Sequence, residues 1–204
     1  MTTITISRQF GAGGKTLGRM LEKSLGYRCV DEIMVREVAK QVNVSESQVL
    51  GFEKGGGTGL MKFLDKFVTG DYINRLIPSK YGYLDEKCYV DAVRSVVLEL
   101  HKHGNVIIVG RGSQYILKDL EKTYHILLVG ELGDRIRFIA DKYQMKEAEA
   151  AKAVNRADKN RTGFLSFFSN SGDPDNPMSY DLTLNMRRVR LQQAEKLVID
   201  LISE

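Results

Sequence analysis

The sequence of 204 residues predicts an α/β protein in which helices cover both faces of a five-stranded parallel sheet. Three observations lead to this prediction. Short strand-like segments alternate along the chain with longer segments of helical periodicity. Two of the strand-like segments, Val106–Val109 and Ile126–Val129, are apolar throughout, as strands buried on both faces of a parallel sheet are. A glycine-rich turn joins the first strand to a helix, and such turns commonly bind phosphate groups.

The first part of the chain begins with a predicted strand over Thr3–Ser7, where β-branched residues suit a pleated backbone. The helix after the glycine turn is predicted over Lys15–Leu25, and Gly26 lies where helix ends favour glycine. A short second strand is predicted over Tyr27–Val30. We interpret residues 32–84 as a helical subdomain at the edge of the sheet. Its predicted parts are helices at 32–41, 45–52 and 60–68 and a glycine-rich break at 55–59.

Regular alternation resumes at Asp85. An apolar stripe from Val90 to Leu100 predicts a helix, which Gly104 ends. The charged segment 146–161 is predicted as a helix, and 162–178, with its phenylalanines and prolines, as a loop. The remaining predicted elements are strands at 106–109, 125–129 and 180–185 and helices at 132–143 and 188–202.

The composition, with 43% hydrophobic and 27% charged residues, is ordinary for a single globular domain spanning residues 1–204. The longest apolar runs are only strand-sized, and the sequence enters its first strand without the pattern of a signal peptide. Cys29 and Cys88 lie in unrelated contexts and predict neither a disulfide framework nor a metal site. We therefore expect a cytoplasmic protein. A net charge of +4 is mild, and a phosphate-binding cleft would account for it without nucleic acid.

The main functional motif is the turn formed by Gly11, Ala12, Gly13 and Gly14. Glycines let the backbone turn tightly and aim successive N–H groups inward, and the following helix adds the positive end of its dipole. Lys15 would add a positive charge, and Thr16 a hydroxyl that can bind Mg²⁺. The turn therefore predicts a phosphate-binding loop.

Two registers of the phosphate-loop pattern fit this turn imperfectly. The pattern G-x-x-x-x-G-K-S/T ends at Gly14-Lys15-Thr16, but Gln9 stands where its first glycine belongs. The other register aligns Gly11-Ala12-Gly13 with the G-x-G of nucleotide kinases and places Gly14 where the lysine is expected. The residues alone leave both registers open, together with an ordinary glycine-rich turn.

Charged residues follow three of the predicted strands. Arg8 comes after the first strand, Asp31 and Arg36 after the second, and Arg111 after the third. Because ligands bind beyond the carboxyl ends of parallel strands, these side chains are expected at one rim. Guanidinium groups bind two phosphate oxygens at once and keep their charge, so the rim suits a phosphate-rich ligand.

Five segments of the chain carry a resemblance to a known family: Ile6–Gly14, Val30–Glu32, Val109–Leu117, Asp158–Arg161 and Tyr180–Asn185. In these segments, and over essentially its full length, the chain resembles the cytidylate kinase-like proteins, a branch of the P-loop nucleoside monophosphate kinases. The resemblance implies a three-layer P-loop kinase fold with an ATP site at the glycine turn. It also implies an acceptor-nucleotide subdomain at 32–84 and a lid at 146–178.

The resemblance implies a role for each matching residue. The ATP phosphates and Mg²⁺ would be bound by Gly11, Ala12, Gly13, Gly14, Lys15 and Thr16, with Thr16 as the metal ligand. The acceptor would be bound by Arg8, Asp31, Arg36 and Arg111. The lid would contribute Asp158 and Arg161 as a D-x-x-R element. Arg156 is a looser match, because the family's further lid arginine falls where this chain has Val154. Lys15 and these three lid residues are the predicted catalytic residues.

The expected activity is ATP-dependent phosphoryl transfer to a nucleoside monophosphate, with CMP or dCMP as the expected acceptor. The expected partners are ATP and that monophosphate, without nucleic acid or membrane, in a monomer or homodimer. Two alternatives stay open. One is a kinase of another small acceptor, and the other is a degenerate P-loop protein that binds nucleotide without kinase activity.

Overall fold

A computed structural model of the protein describes residues 1–31, 86–169 and 173–203. Several sequence predictions fall outside these residues: the subdomain at 32–84 with its three helices, the glycine-rich break at 55–59, and Arg36. Within the described residues, no helix is both long enough and apolar enough to span a membrane.

The described elements alternate between strands and helices along the chain. The strands are β1 (Thr3–Arg8), β2 (Arg28–Val30), β3 (Val106–Val109), β4 (Thr123–Val129) and β5 (Leu182–Asn185). The helices are α1 (Gly14–Leu25), α2 (Glu86–His103), α3 (Ser113–Ile116), α4 (Leu132–Tyr143), α5 (Glu147–Leu165) and α6 (Leu191–Ile202), with a 3₁₀ turn at Pro177–Ser179.

The five strands form one parallel sheet in the order β2-β3-β1-β4-β5. The central strand β1 pairs with β3 on one side, from Thr3 opposite Val106 to Ile6 opposite Val109, and with β4 on the other. β1 continues to Arg8, beyond its last pair with β3. The predicted five-stranded parallel sheet is thus confirmed, and the carboxyl ends of β1, β2 and β3 lie side by side.

Apolar clusters lie on both faces of the sheet, as burial of β3 on both faces requires. On one face α2 packs on β2 and β3 through Val93, Val97 and Leu100. On the other face α1 and α6 pack on the sheet; their fully buried residues include Leu17, Leu21 and Val198. Gly18 permits close packing there, because a β-carbon at this position would lie 2.9 Å from the Cys29 sulfur. A third cluster joins α4 to α5 through Ile139, Ala150 and Val154.

Element boundaries differ from the sequence predictions in a few places. The predicted loop at 162–178 is wrong at its start, because α5 continues to Leu165, whose side chain is buried. The last helix begins at Leu191 rather than Arg188, since Arg190 and Gln193 form a capping box there. The short helix α3 was not predicted. It is only four residues long, too short to show a hydrophobic period.

Candidate active site

The glycine turn forms a cradle between β1 and α1. Gly11 and Gly13 both have a left-handed backbone with φ 89°, which explains the glycines. At Gly11 a side chain is also excluded by space, since a β-carbon would lie 2.9 Å from the Arg135 carbonyl oxygen. Gly13 is the N-cap of α1, and among the described residues no side chain caps this helix and no acidic residue lies in its first turn. The first N–H groups of α1 therefore face the cradle, with the positive end of the helix dipole behind them.

A partly buried ion pair fixes the start of this cradle. Asp158 of α5 accepts a hydrogen bond from the Phe10 N–H at 2.9 Å and pairs with Arg135 of α4 at 2.6 Å. Arg135, only 7% exposed, also donates to the carbonyl oxygens of Phe10 and Gly130, each at 3.0 Å. The Phe10 peptide is thus held on both its N–H and its C=O side.

A second network links the cradle to the segment after α5. The Gln9 side chain donates to Asp175 at 2.9 Å and accepts from the Gly130 N–H at 3.0 Å. Asp175 also pairs with Arg161 at 2.7 Å, and Arg161 donates to the Ser7 hydroxyl at 3.0 Å. Arg161 therefore reaches the carboxyl end of β1 from α5, where it is largely buried.

Tyr180 anchors the same segment. Its hydroxyl donates to the Pro174 carbonyl oxygen at 2.7 Å and accepts from the Gln114 amide at 3.2 Å. Burial raises the pKa of Tyr180 to about 12, so the hydroxyl stays protonated and can donate at neutral pH.

Lys15 and Asp31 form an ion pair beside the cradle, with 3.2 Å between Nζ and Oδ2. The Asp31 side chain is 9% exposed and that of Lys15 34%. Burial lowers the pKa of Lys15, while Asp31 opposes that shift. The pair connects the first turn of α1 to the end of β2.

The turn after β3 is Gly110-Arg111-Gly112, and all three residues have positive φ (85°, 60° and 67°). Such a conformation is uncommon for arginine and is found where surrounding structure imposes it. The Arg111 guanidinium lies over the Phe164 ring at 4.9 Å from its centroid. Phe168 packs against Gly112, where a β-carbon would come within 2.7 Å of the ring. Phe164, within α5, and Phe168, just after its end, thus support this turn.

Arg8 crosses between the cradle and the β3 turn. An ideal β-carbon at Gly14 would lie 2.9 Å from the Arg8 Cγ, and one at Gly110 would lie 2.5 Å from its Nη1. The stem of Arg8 therefore lies over the first residue of α1, and its guanidinium lies against the end of β3.

The structure brings most predicted site residues to one edge of the sheet. Arg8 is the last residue of β1, and Asp31 and Arg111 come after the adjacent strands β2 and β3. Residues 11–16 form the glycine turn and the first turn of α1. Asp158 and Arg161 lie one helical turn apart and approach this edge from α5. Arg156 does not join them; it is exposed, and two residues before Asp158 it lies on another side of the helix. Val154 is fully buried between α4 and α5, so an arginine would not fit there.

Three residues of this site were not predicted from the sequence: Arg135, Gln9 and Asp175. A signal existed for two of them. Arg135 lies beside Ile136 and four residues before Ile139, so a charged residue falls on the apolar side of its predicted helix. Gln9 occupies the position where the first register lacks its glycine. Asp175 lies in an irregular segment, where no pattern separates it from Asp173.

The residues at this edge fit a Mg²⁺ ion that is bound together with substrate phosphates. Mg²⁺ usually keeps several waters and takes one or two carboxylates besides phosphate oxygens. Asp31 offers one largely buried carboxylate, and Thr16 a hydroxyl in the first turn of α1. Among the described residues there is no group of three or more acidic, histidine or cysteine side chains that could hold a metal ion by itself.

Comparisons with known proteins concern the family and the fold. The model of the cytidylate kinase-like family matches residues 3–188. An uncharacterized protein from Eubacterium ventriosum has a similar structure, with a TM-score of 0.72 at 16% identity over 100% of this chain and 99% of that chain. Shikimate kinase from Bacteroides thetaiotaomicron has a TM-score of 0.51 at 12% identity, over 100% and 99% of the two chains.

The YorR protein from Bacillus subtilis, solved in complex with phosphorylated GDP, has a TM-score of 0.52 at 12% identity, over 99% and 96% of the two chains. No protein with a curated function matches the sequence significantly. At such low identities the likeness to solved structures concerns the fold alone, and it confirms the predicted P-loop kinase fold.

Proposed function

The chain belongs to the cytidylate kinase-like family, and from this membership we propose that it transfers the γ-phosphoryl group of ATP to a nucleoside monophosphate, with CMP or dCMP as the expected acceptor. One arrangement supports the proposal. The start of α1, which no described side chain caps, lies at the same edge of the sheet as Arg8, Lys15, Asp31 and Arg111. A phosphoryl transfer needs such an edge, because donor and acceptor phosphates must be brought together despite their negative charges.

The donor phosphates would bind at the glycine turn. Residues Gly11, Ala12, Gly13 and Gly14 carry the N–H groups that surround the cradle, and Lys15 and Thr16 follow in the first turn of α1. Preorganised N–H groups cost no reorganisation when negative charge arrives, so they stabilise bound phosphates efficiently. The Arg135–Asp158 pair would keep this turn in place by holding the Phe10 peptide.

The acceptor monophosphate would bind beyond β2 and β3. The turn after β3 directs Arg111 over Phe164, and an arginine there would bind phosphate oxygens through its fork of N–H groups. Asp31 lies next to Lys15 at the boundary between the donor and acceptor sides. Arg36 is proposed as a second acceptor arginine on the resemblance alone, since it lies outside the described residues.

In the transfer, an oxygen of the acceptor phosphate forms a bond to the γ-phosphorus while the bond from that phosphorus to the β–γ bridging oxygen breaks. The electron pair of the broken bond stays on ADP. The attacking oxygen is already ionised at neutral pH, so the chain needs no general base for this acceptor. Its residues would position the two phosphates in line and stabilise the charge that shifts between them.

Mg²⁺ would be held by Thr16, by ATP oxygens and by water, with Asp31 nearby, and when bound it would neutralise part of the phosphate charge. Arg161 would add positive charge from α5. In the structure this arginine is paired with Asp175 and the Ser7 hydroxyl, at the carboxyl end of the strand that leads into the cradle. A γ-phosphate bound there would compete with Asp175 for the guanidinium.

The proposal is tested by offering the purified protein Mg-ATP with CMP, dCMP, UMP, AMP, GMP or a small alcohol such as shikimate, and measuring ADP formation. We expect CMP or dCMP to have the highest kcat/KM. Arg111→Ala should raise the acceptor KM about 10-fold or more, because a charged hydrogen bond contributes about 1.5–3 kcal/mol. Arg137→Ala, which removes an arginine from the exposed side of α4, is the control and should change nothing.

If only the small alcohol is phosphorylated, the acceptor is not a nucleoside monophosphate, and that part of the proposal is wrong. ATP binding without turnover of any compound in the panel would contradict the kinase proposal and favour a nucleotide-binding protein without this activity.

A further inference from the structure

The backbone conformation of Gly14 does not explain why this position is a glycine. It is the first residue of α1, and its φ is not positive, so any residue could adopt its conformation. In a helix alanine is favoured over glycine. The space, however, is occupied: an ideal β-carbon would lie 2.9, 3.1 and 3.2 Å from Cγ, Cδ and Cβ of Arg8. These are atoms near the root of the Arg8 side chain, which cannot move aside without moving the guanidinium.

Gly110 makes room for the other end of the same side chain. A β-carbon there would lie 2.5 Å from Nη1 of Arg8 and 3.3 Å from Cζ. Two glycines that are far apart in sequence thus border one arginine, the first at its stem and the second at its guanidinium. The guanidinium is placed between the start of α1 and the turn that carries Arg111.

Lys15 is turned to a different partner. Its ammonium group lies 3.2 Å from the Asp31 carboxylate at the end of β2. Lys15 and Arg8 therefore lie on different sides of the glycine turn: Lys15 faces β2, while Arg8 lies over Gly14, where the second register of the motif expects the lysine.

From this geometry we infer that Arg8 supplies the positive charge that contacts the transferred γ-phosphoryl group, and that Gly14 has no side chain so that Arg8 can occupy this place. The inference rests on the proposed function and deepens it. Arg8 is no longer assigned to the acceptor phosphate alone; it is assigned to the phosphoryl group that moves between donor and acceptor. The phosphoryl step keeps the balance given above: the bond to the acceptor oxygen forms, the bond to the bridging oxygen breaks, and ADP leaves with the electron pair.

A guanidinium at this point suits the chemistry. It cannot lose its proton at physiological pH, and its fork can contact two oxygens at once. Charge that moves onto the bridging and equatorial oxygens in the transition state would be stabilised by a group that is already in place.

The first experiment measures binding and does not depend on the acceptor. Dissociation constants for Mg-ADP and for Mg-AMP-PNP, a non-hydrolysable ATP analogue, are determined by calorimetry for the wild type, Arg8→Ala, Arg8→Lys and Lys15→Ala. We expect Arg8→Ala to reduce the preference for AMP-PNP over ADP about 10- to 100-fold, the effect of losing a charged hydrogen bond. Arg8→Lys should recover part of that preference, and Lys15→Ala should leave it unchanged.

The second experiment is a double-mutant cycle on turnover with the best acceptor. Gly14→Ala should lower kcat in the wild type by displacing Arg8, and should lower it no further in Arg8→Ala. Gly133→Ala is the matched control, because Gly133 is also a helical glycine and a β-carbon there would only touch the far end of Arg137 at 3.8 Å. It should leave kcat unchanged in both backgrounds.

The outcomes separate the inference from the proposed function. If the wild type prefers AMP-PNP and Arg8→Ala keeps that preference, or if Lys15→Ala abolishes it, the assignment of Arg8 is overturned. If Gly14→Ala lowers kcat by the same factor in the wild type and in Arg8→Ala, the proposed role of Gly14 is overturned. Failure of the wild type to bind either nucleotide would instead contradict the proposed function.

Discussion

At the scale of single residues, the Arg135–Asp158 pair shows how side chains from two helices determine the position of a loop. Asp158 matches the lid motif of the family, yet in this structure both of its oxygens are engaged, one by the Phe10 N–H and the other by Arg135. We therefore interpret Asp158 as a positioning residue of the glycine turn. This role does not require a direct contact with substrate.

Asp158→Ala should destabilise the protein by about 2 kcal/mol, because it leaves a largely buried arginine and a backbone N–H without their shared acceptor. Urea unfolding measures this change. Asp141→Ala, at an exposed position of α4, should stay within about 0.5 kcal/mol of the wild type. Equal stability of the two variants would show that the Phe10 peptide does not depend on this pair.

Tyr180 provides a pH-dependent test. Its pKa is raised to about 12 by burial, whereas a tyrosine in the unfolded chain titrates near 10. The folded state thus holds the phenolic proton more tightly, so the contribution to stability is complete below pH of about 10 and is lost as pH rises towards 12.

Tyr180→Phe should cost about 1 kcal/mol at pH 8, through loss of the hydrogen bond to Pro174, and should lose less stability than the wild type between pH 9 and 11. Urea unfolding at these pH values tests both parts. Tyr124→Phe, at a half-buried position of β4, is the control. An unchanged pH slope in Tyr180→Phe would mean that this phenol is not the group responsible.

At the scale of elements, α5 connects the helical layer to the site. Its first half packs on α4 through Ala150 and Val154, and its second half carries Arg161 to the carboxyl end of β1. We predict that Arg161→Ala lowers kcat about 10³-fold with a smaller effect on the acceptor KM, as loss of an arginine that acts mainly in the transition state does. Steady-state kinetics test this, with Lys152→Ala as the exposed control on the same helix. A change confined to KM would place Arg161 on the binding side.

Most described elements could be predicted from the sequence, because their signals are local. The run Val106–Val109 is apolar at every position, and Gly26 ends α1 as its position suggests. The extension of α5 to Leu165 could not be predicted in this way. It accompanies burial of Leu165 and packing of Phe164 beneath Arg111, a residue that is distant in sequence.

Contacts between residues distant in sequence limit the prediction of the site even more than that of the helices. The sequence predicts that Arg8, Asp31 and Arg111 share a rim, since the carboxyl ends of parallel strands do. It does not predict which of the charged side chains at this rim contact one another. That Lys15 pairs with Asp31, and that Arg8 lies over Gly14, follows from side-chain packing between strands.

At the scale of the whole molecule, the strand order β2-β3-β1-β4-β5 places the glycine turn at the centre of one edge. The ends of β2 and β3 lie on one side of it, and on the other side Gln9 accepts a hydrogen bond from Gly130, which comes directly after β4. In the proposed function, donor and acceptor phosphates would meet at this edge, and Arg161 would approach them from α5.

The central claim, that this edge transfers phosphoryl groups between nucleotides, is tested most directly by ³¹P NMR of the protein with Mg-ATP and CMP. The account predicts that the β-phosphate signal of CDP grows in equal amount to ADP, and that both nearly disappear with Arg8→Ala. Release of inorganic phosphate as the only product, or no change in any signal while ATP is bound, would contradict it.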